Sequence, residues 1–82
     1  MNKEEFIEIV NKENINLDSF SLYKNNDESL VIERDGYEWV VFYSERGIRS
    51  GKKVFHSESD ALDYMLKTLL KSEVSRQKPR GY

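Results

Sequence analysis

No cysteine occurs among the 82 residues, which excludes disulfide staples, thiolate nucleophiles and cysteine-ligated metal centres. Histidine is nearly as scarce. His56 is the only one, and a lone imidazole cannot supply the several ligands that a metal site needs. Long hydrophobic runs are missing too. The longest, Trp39 to Tyr43, falls far short of the roughly 20 apolar residues of a membrane-spanning helix. The chain opens Met1-Asn2-Lys3-Glu4-Glu5, with acids where a signal peptide would begin its apolar stretch. Together these shortages lead us to expect a cytoplasmic protein with no membrane segment and no cofactor.

What is present suits a small globule. Hydrophobic residues make up 38% of the chain, aromatics 12% and charged residues 34%, too apolar for a disordered segment and charged enough for a well-solvated surface. The net charge of −2 conceals an asymmetry. Residues 1–45 hold eleven acidic and four basic side chains, residues 46–82 nine basic and four acidic. Such a split either marks an interaction surface or reflects two halves that pair across the fold.

Periodicity orders the elements. Asn2 with Glu5 three residues on has the form of a capping box, and Phe6, Ile9 and Val10 follow at helical spacing, so a helix is expected over about 3–12. Asn14-Ile15-Asn16 should end it, with Ile15 and Leu17 pinning the connection to the core. Phe20 to Tyr23 suggests a short strand, and 29–34 a longer one. Asp35-Gly36 is a strong signal for a two-residue hairpin turn, and 37–44, rich in aromatic and β-branched residues, is the returning strand. A turn at 35–36 would set Arg34 opposite Tyr37, Ile32 opposite Trp39 and Leu30 opposite Val41. One face would then carry Leu30, Ile32, Trp39, Val41 and Tyr43 toward the helices; the other would carry Val31, Val40, Phe42, Glu33 and Glu38. Residues 45–51 read as a loop and 52–56 as a last strand. Ser57 with Asp60 reads as a second capping box, opening a helix over about 58–72 with Ala61, Leu62, Met65, Leu66, Leu69 and Leu70 on one stripe. The predicted fold class is α+β: a three- to four-stranded antiparallel meander sheet with an N-terminal and a C-terminal helix packed on one face, forming a single domain over 1–72, with a flexible C-terminal tail over 73–82.

Catalytic motifs are hard to find. His56 could act as a general base, but its place at a strand end before a helix cap gives it an adequate structural role. Glu58, Asp60 and Asp63 suit a helix N-terminus, where negative charge is favourable. Gly47 and Gly51 lack the Lys-Ser/Thr and helix of a phosphate loop, and Ser44 has no local base to activate it. Arg46, Arg49, Lys52 and Lys53 cluster, and Arg76, Lys78 and Arg80 follow. With Tyr37, Trp39, Phe42 and Tyr43 nearby, they allow a reading as a nucleic-acid-binding regulator; the overall negative charge opposes it.

One stretch carries a family likeness. Trp39-Val40-Val41-Phe42-Tyr43-Ser44-Glu45-Arg46-Gly47, followed by Phe55, a Ser57-Glu58 cap and an amphipathic helix with Ala61 and Tyr64, resembles a family of short bacterial proteins predicted to be immunity proteins of polymorphic toxin systems. The likeness covers about residues 20–70, and Tyr-Ser-Glu-Arg-Gly is its specific part. It implies a non-enzymatic protein that binds and blocks a cognate toxin, and it carries over no catalytic residues. The run also has a local reading: Ser44 and Glu45 turn outward as the strand ends, Gly47 takes a left-handed conformation, and Arg46 pairs with Glu45 or a neighbouring carboxylate. The expected partner-binding residues are the carboxylates Glu33, Asp35 and Glu38, suited to a basic partner, together with Arg46 and Arg49. Oligomeric state stays open at this level.

Overall fold

A computed structural model describes residues 1–24 and 26–71. The expected tail over 73–82 lies outside the described residues. Among those described, the order is α1 (Lys3–Lys12), a 3-10 turn (Leu17–Ser19), β1 (Phe20–Leu22), β2 (Ser29–Asp35), β3 (Glu38–Glu45), β4 (Ile48–Phe55) and α2 (Glu58–Lys71). The sheet order is β1-β2-β3-β4, giving the expected α+β fold with a mostly antiparallel sheet.

Both helices start where their sequences say they should. The Asn2 side chain accepts from the Glu5 amide at 2.8 Å, and the Glu5 carboxylate accepts from the Asn2 amide at 3.2 Å, so two N-terminal amides are satisfied reciprocally. The Ser57 hydroxyl accepts from the Asp60 amide at 3.1 Å and caps the start of α2, one half of the expected box. The N-terminal ammonium ties the two helix starts together through Ser59 Oγ at 2.6 Å and Asp63 Oδ1 at 3.3 Å.

Helix α1 buries Phe6 and Val10, and α2 buries Ala61, Leu62, Met65, Leu66 and Leu69. These stripes close over Leu30, Ile32 and Val41 in one cluster, where each fully buried large side chain contributes about 1.5–3 kcal/mol. Phe6 and Phe20 meet edge to face at 5.3 Å, and Phe55 packs on Tyr64 at 5.2 Å. Ile15 is buried as expected, but Leu17 is exposed. Its place in the 3-10 turn, capped by the Asn16 side chain on the Asp18 amide, points it away from the core.

The β2–β3 hairpin reverses one residue later than the sequence suggests. Asp35 pairs with Glu38, Arg34 with Trp39, Ile32 with Val41 and Leu30 with Tyr43, so the central turn residues are Gly36 and Tyr37. Gly36 sits at φ +64° and neither Asp35 nor Tyr37 has positive φ. That is the pattern of a type II′ turn, which wants glycine at its first central position. Sliding the turn by one residue moves every cross-strand partner by two, and because side chains alternate with period two the faces are unchanged. Leu30, Ile32, Trp39 and Val41 therefore still face the helices. Tyr43 shares that face but lies past the helical cover and is 40% exposed.

The largest departures are at the sheet edges. Strand β1 runs parallel to β2, with Phe20 opposite Leu30 and Leu22 opposite Ile32, so the sheet is mixed and not a simple meander. The chain doubles back between them through Tyr23 and Glu28, non-glycine residues at φ +64° and +58°. Hydrogen bonds from Ser21 Oγ to the Lys24 carbonyl and from Ser29 Oγ to the Asn26 carbonyl hold this return. At the other edge, the stretch expected to be a loop is strand. Arg46 and Gly47, both at positive φ, make a two-residue turn of type I′ character, and β4 begins at Ile48. A bulge lets Gly51 and Lys52 oppose Phe42 alone, between the pairs Tyr43–Ser50 and Val41–Lys53. Gly51 at φ +63° supplies the left-handed residue that such a bulge requires.

Candidate functional site

The sheet face opposite the helices gathers most of the residues expected to bind a partner. The pairing register fixes their places. Ser29, Val31, Glu33 and Asp35 of β2, Glu38, Val40, Phe42 and Ser44 of β3, and Arg49 and Val54 of β4 point to this side. Val31, Val40 and Phe42 form a buried cluster of their own, to which no helix residue belongs.

At its centre, Phe42 is flanked by Arg49. The guanidinium lies 4.5 Å from the ring centroid, and its Nη2 is 3.4 Å from Glu33 Oε1. Arg49 thus crosses from β4 over β3 to reach β2, a span only a long side chain can make, and buries its stem on apolar surface while the head stays wet. Its side chain is 51% exposed and that of Glu33 25%, so the ion pair itself contributes at most about 1 kcal/mol. Its effect is geometric: it holds the cation over the ring.

Toward the β2–β3 turn the same face becomes acidic. Asp35 and Glu38 are exposed and directly opposite one another, an arrangement that costs stability because like charges face across the ladder. Glu33 lies two residues from Asp35 on the same face. The three expected carboxylates are thus side by side, and Glu33 joins them to Arg49.

Arg46 is not part of this group. It occupies the β3–β4 turn, at the opposite end of β3 from Glu38, at φ +52°, and among the described residues it forms no ion pair with Glu45 or another carboxylate. The residue fixing that turn is Asp27, whose Oδ1 accepts from the Gly47 amide at 3.2 Å and the Ser44 hydroxyl at 3.4 Å. This also corrects the expectation for Ser44, which is fully buried beneath Asp27. Sequence reasoning missed Asp27 because its partners lie 17 and 20 residues away, and the pairing of Ser29 with Ser44 brings its loop to the β3–β4 turn.

The aromatic residues suggested for base stacking do not share a surface. Tyr37 projects from the turn at 94% exposure, Trp39 and Tyr43 belong to the helix side, and Phe42 is buried on the other. A second polar group sits at the helix side of the sheet's end. The Tyr23 hydroxyl donates to Glu58 Oε2, its ring meets Trp39 edge to face at 5.8 Å, Lys3 Nζ lies over Tyr23, and Arg34 lies over Trp39. Although Tyr23 is 38% exposed, partial burial of its phenol, reinforced by the Glu58 hydrogen bond and charge, raises it above its ordinary value.

His56 is exposed. Among the described residues no group of three or more His, Cys, Asp or Glu side chains could hold a metal ion, and no helix is long and apolar enough to cross a membrane. No family profile, curated protein or solved structure matches the chain.

Proposed function

We propose that this chain is a non-catalytic protein-binding module that neutralises a cognate bacterial toxin, with the exposed carboxylates on the sheet face opposite the helices as its contact surface. One observation carries the reading: Glu33, Asp35 and Glu38 lie together on a flat face beside the Val31, Val40 and Phe42 strip, with Arg49 clamped across it. The apolar strip is buried and serves as a packed support, while the carboxylate group beside it accelerates and orients docking of a basic partner. The directly opposed Asp35 and Glu38 oppose folding, which is understandable where a partner's cations neutralise them. The Tyr-Ser-Glu-Arg-Gly likeness supports a toxin as that partner.

The test is co-expression with any toxin encoded beside this gene, alongside affinity measured on the purified pair. The wild-type chain should protect cells. Asp35→Asn with Glu38→Gln, both exposed positions, should weaken binding by about tenfold or more and steepen the loss with salt less than the wild type does. Equal killing with and without the chain would end the proposal.

The alternative of a nucleic-acid-binding regulator draws on Arg46, Lys52 and Lys53, which are exposed. It has less support, because Arg49 is engaged with Glu33 and Phe42 and the aromatics are spread over different surfaces. Titration with labelled single- and double-stranded oligonucleotides at low salt, where charge-driven binding is strongest, would restore it if binding were seen.

A further inference from the structure

Among the described residues, strand β4 is a free edge. It ends the sheet on the side away from β2, runs for eight residues, and is exposed from Ile48 to Val54. Alternate backbone N–H and C=O groups of an edge strand point away from its neighbour and stay unpaired, a template for another strand. The edge is strongly one-signed. Between Arg46 and Ser57 there are two arginines, two lysines and no acid, and Arg46, Lys52 and Lys53 have no ion-pair partner among the described residues. Apolar surface accompanies the charge: Ile48 is 69% and Val54 50% exposed, and an open hollow of about 350 Å³ beside the turn is lined by Glu45, Arg46, Ile48 and Ser50.

The geometry points to β4 as a docking edge for an extended acidic segment of a partner protein, added to the sheet as a fifth strand. Charge decides the occupant. A second copy pairing β4 to β4 would bring the cations of the two strands alongside one another, for example Arg49 opposite Lys53, and like charges across a ladder repel. Lysines and a bulge are the usual devices that keep an edge from self-pairing; here the same cations attract carboxylates. Main-chain hydrogen bonds would supply the affinity, and alternate side chains the selectivity. Acidic residues would meet Lys53 on the helix side and Lys52 on the other, while an apolar residue would rest on Ile48 in the hollow. This edge is separate from the carboxylate group and does not depend on the toxin reading.

The test uses the whole chain and a fluorescein-labelled octapeptide alternating Glu with Val, followed by anisotropy at low salt. The acidic peptide should bind about tenfold or more tightly than its Lys–Val counterpart, and backbone amide shifts should concentrate in residues 48–55. N-methylation of alternate peptide amides should abolish binding to the unaltered protein. The Lys52→Glu, Lys53→Glu double variant, at exposed positions, should reverse the preference, while Asp35→Asn should leave it unchanged. The inference is overturned by no binding at millimolar acidic peptide, by equal affinity for both signs, by indifference to N-methylation, or by a single-stranded oligonucleotide that binds more tightly than the peptide.

Discussion

Replacing Phe42 by Ala tests the assignment of inside and outside on the sheet most directly. The ring is fully buried on the face without helices, against Val31 and Val40. Truncating a buried Phe costs about 3–5 kcal/mol. The lower end applies here, because Arg49, lying on one side of the ring, is partly solvated and free to settle into the space. A loss of about 3 kcal/mol is more than half of the roughly 5 kcal/mol expected at the low end for natural domains. The measurement is urea unfolding at 25 °C followed by Trp39 fluorescence, with Phe42→Leu as a milder companion that stays folded. A double-mutant cycle with Arg49→Ala should give a coupling of about 0.5–1 kcal/mol, the size of an exposed cation–π contact. If Phe42→Ala costs under about 1 kcal/mol, the ring is not packed, and the apolar strip beside the carboxylates loses its support.

Three further outcomes are expected. Tyr23 is held protonated by burial and by Glu58, so its contribution is fully present below its unfolded value of about 10 and is lost as pH rises through the higher folded value; Tyr23→Phe should flatten this alkaline loss in denaturant midpoints, with a late-titrating phenol in the wild-type ultraviolet spectrum as the check. Arg46→Asn should raise stability by roughly 0.5 kcal/mol, since asparagine tolerates the left-handed conformation better and Asn-Gly is the favoured type I′ pair; an unchanged or lower melting temperature would contradict the turn geometry. Asp27→Ala should cost about 1–2 kcal/mol by leaving the buried Ser44 hydroxyl without its acceptor, and hydrogen exchange should quicken at Gly47; exchange unaltered at Gly47 would place the anchor elsewhere.

The local signals in the sequence were legible wherever the interaction is short-range. Asn2 with Glu5, Ser57 with Asp60, and the leucine stripe of α2 each involve residues three or four apart on one helix, so their spacing carries their meaning. The partition of the β2–β3 hairpin was legible too, for a subtler reason. The turn lies at 36–37 and not 35–36, yet the displacement is even in the pairing, so Ile32 and Val41 stay inside and Val31 and Phe42 outside. At the β3–β4 hairpin the signal misled: Gly47 and Gly51 looked like a loop, but one closes a two-residue turn and the other forms a bulge.

The sequence alone determined the helices, the alternation of the central strands and the sign of charge along each half of the chain, because propensity, capping and periodicity act between near neighbours. The tertiary structure decided that β1 lies parallel to β2, that Asp27 anchors a turn 20 residues ahead, and that Arg49 reaches over Phe42 to Glu33 while Arg46 stands apart. Those contacts join residues distant in the chain, and their energies depend on which strands become neighbours, a choice made by burying the whole core at once and written in no single stretch of residues.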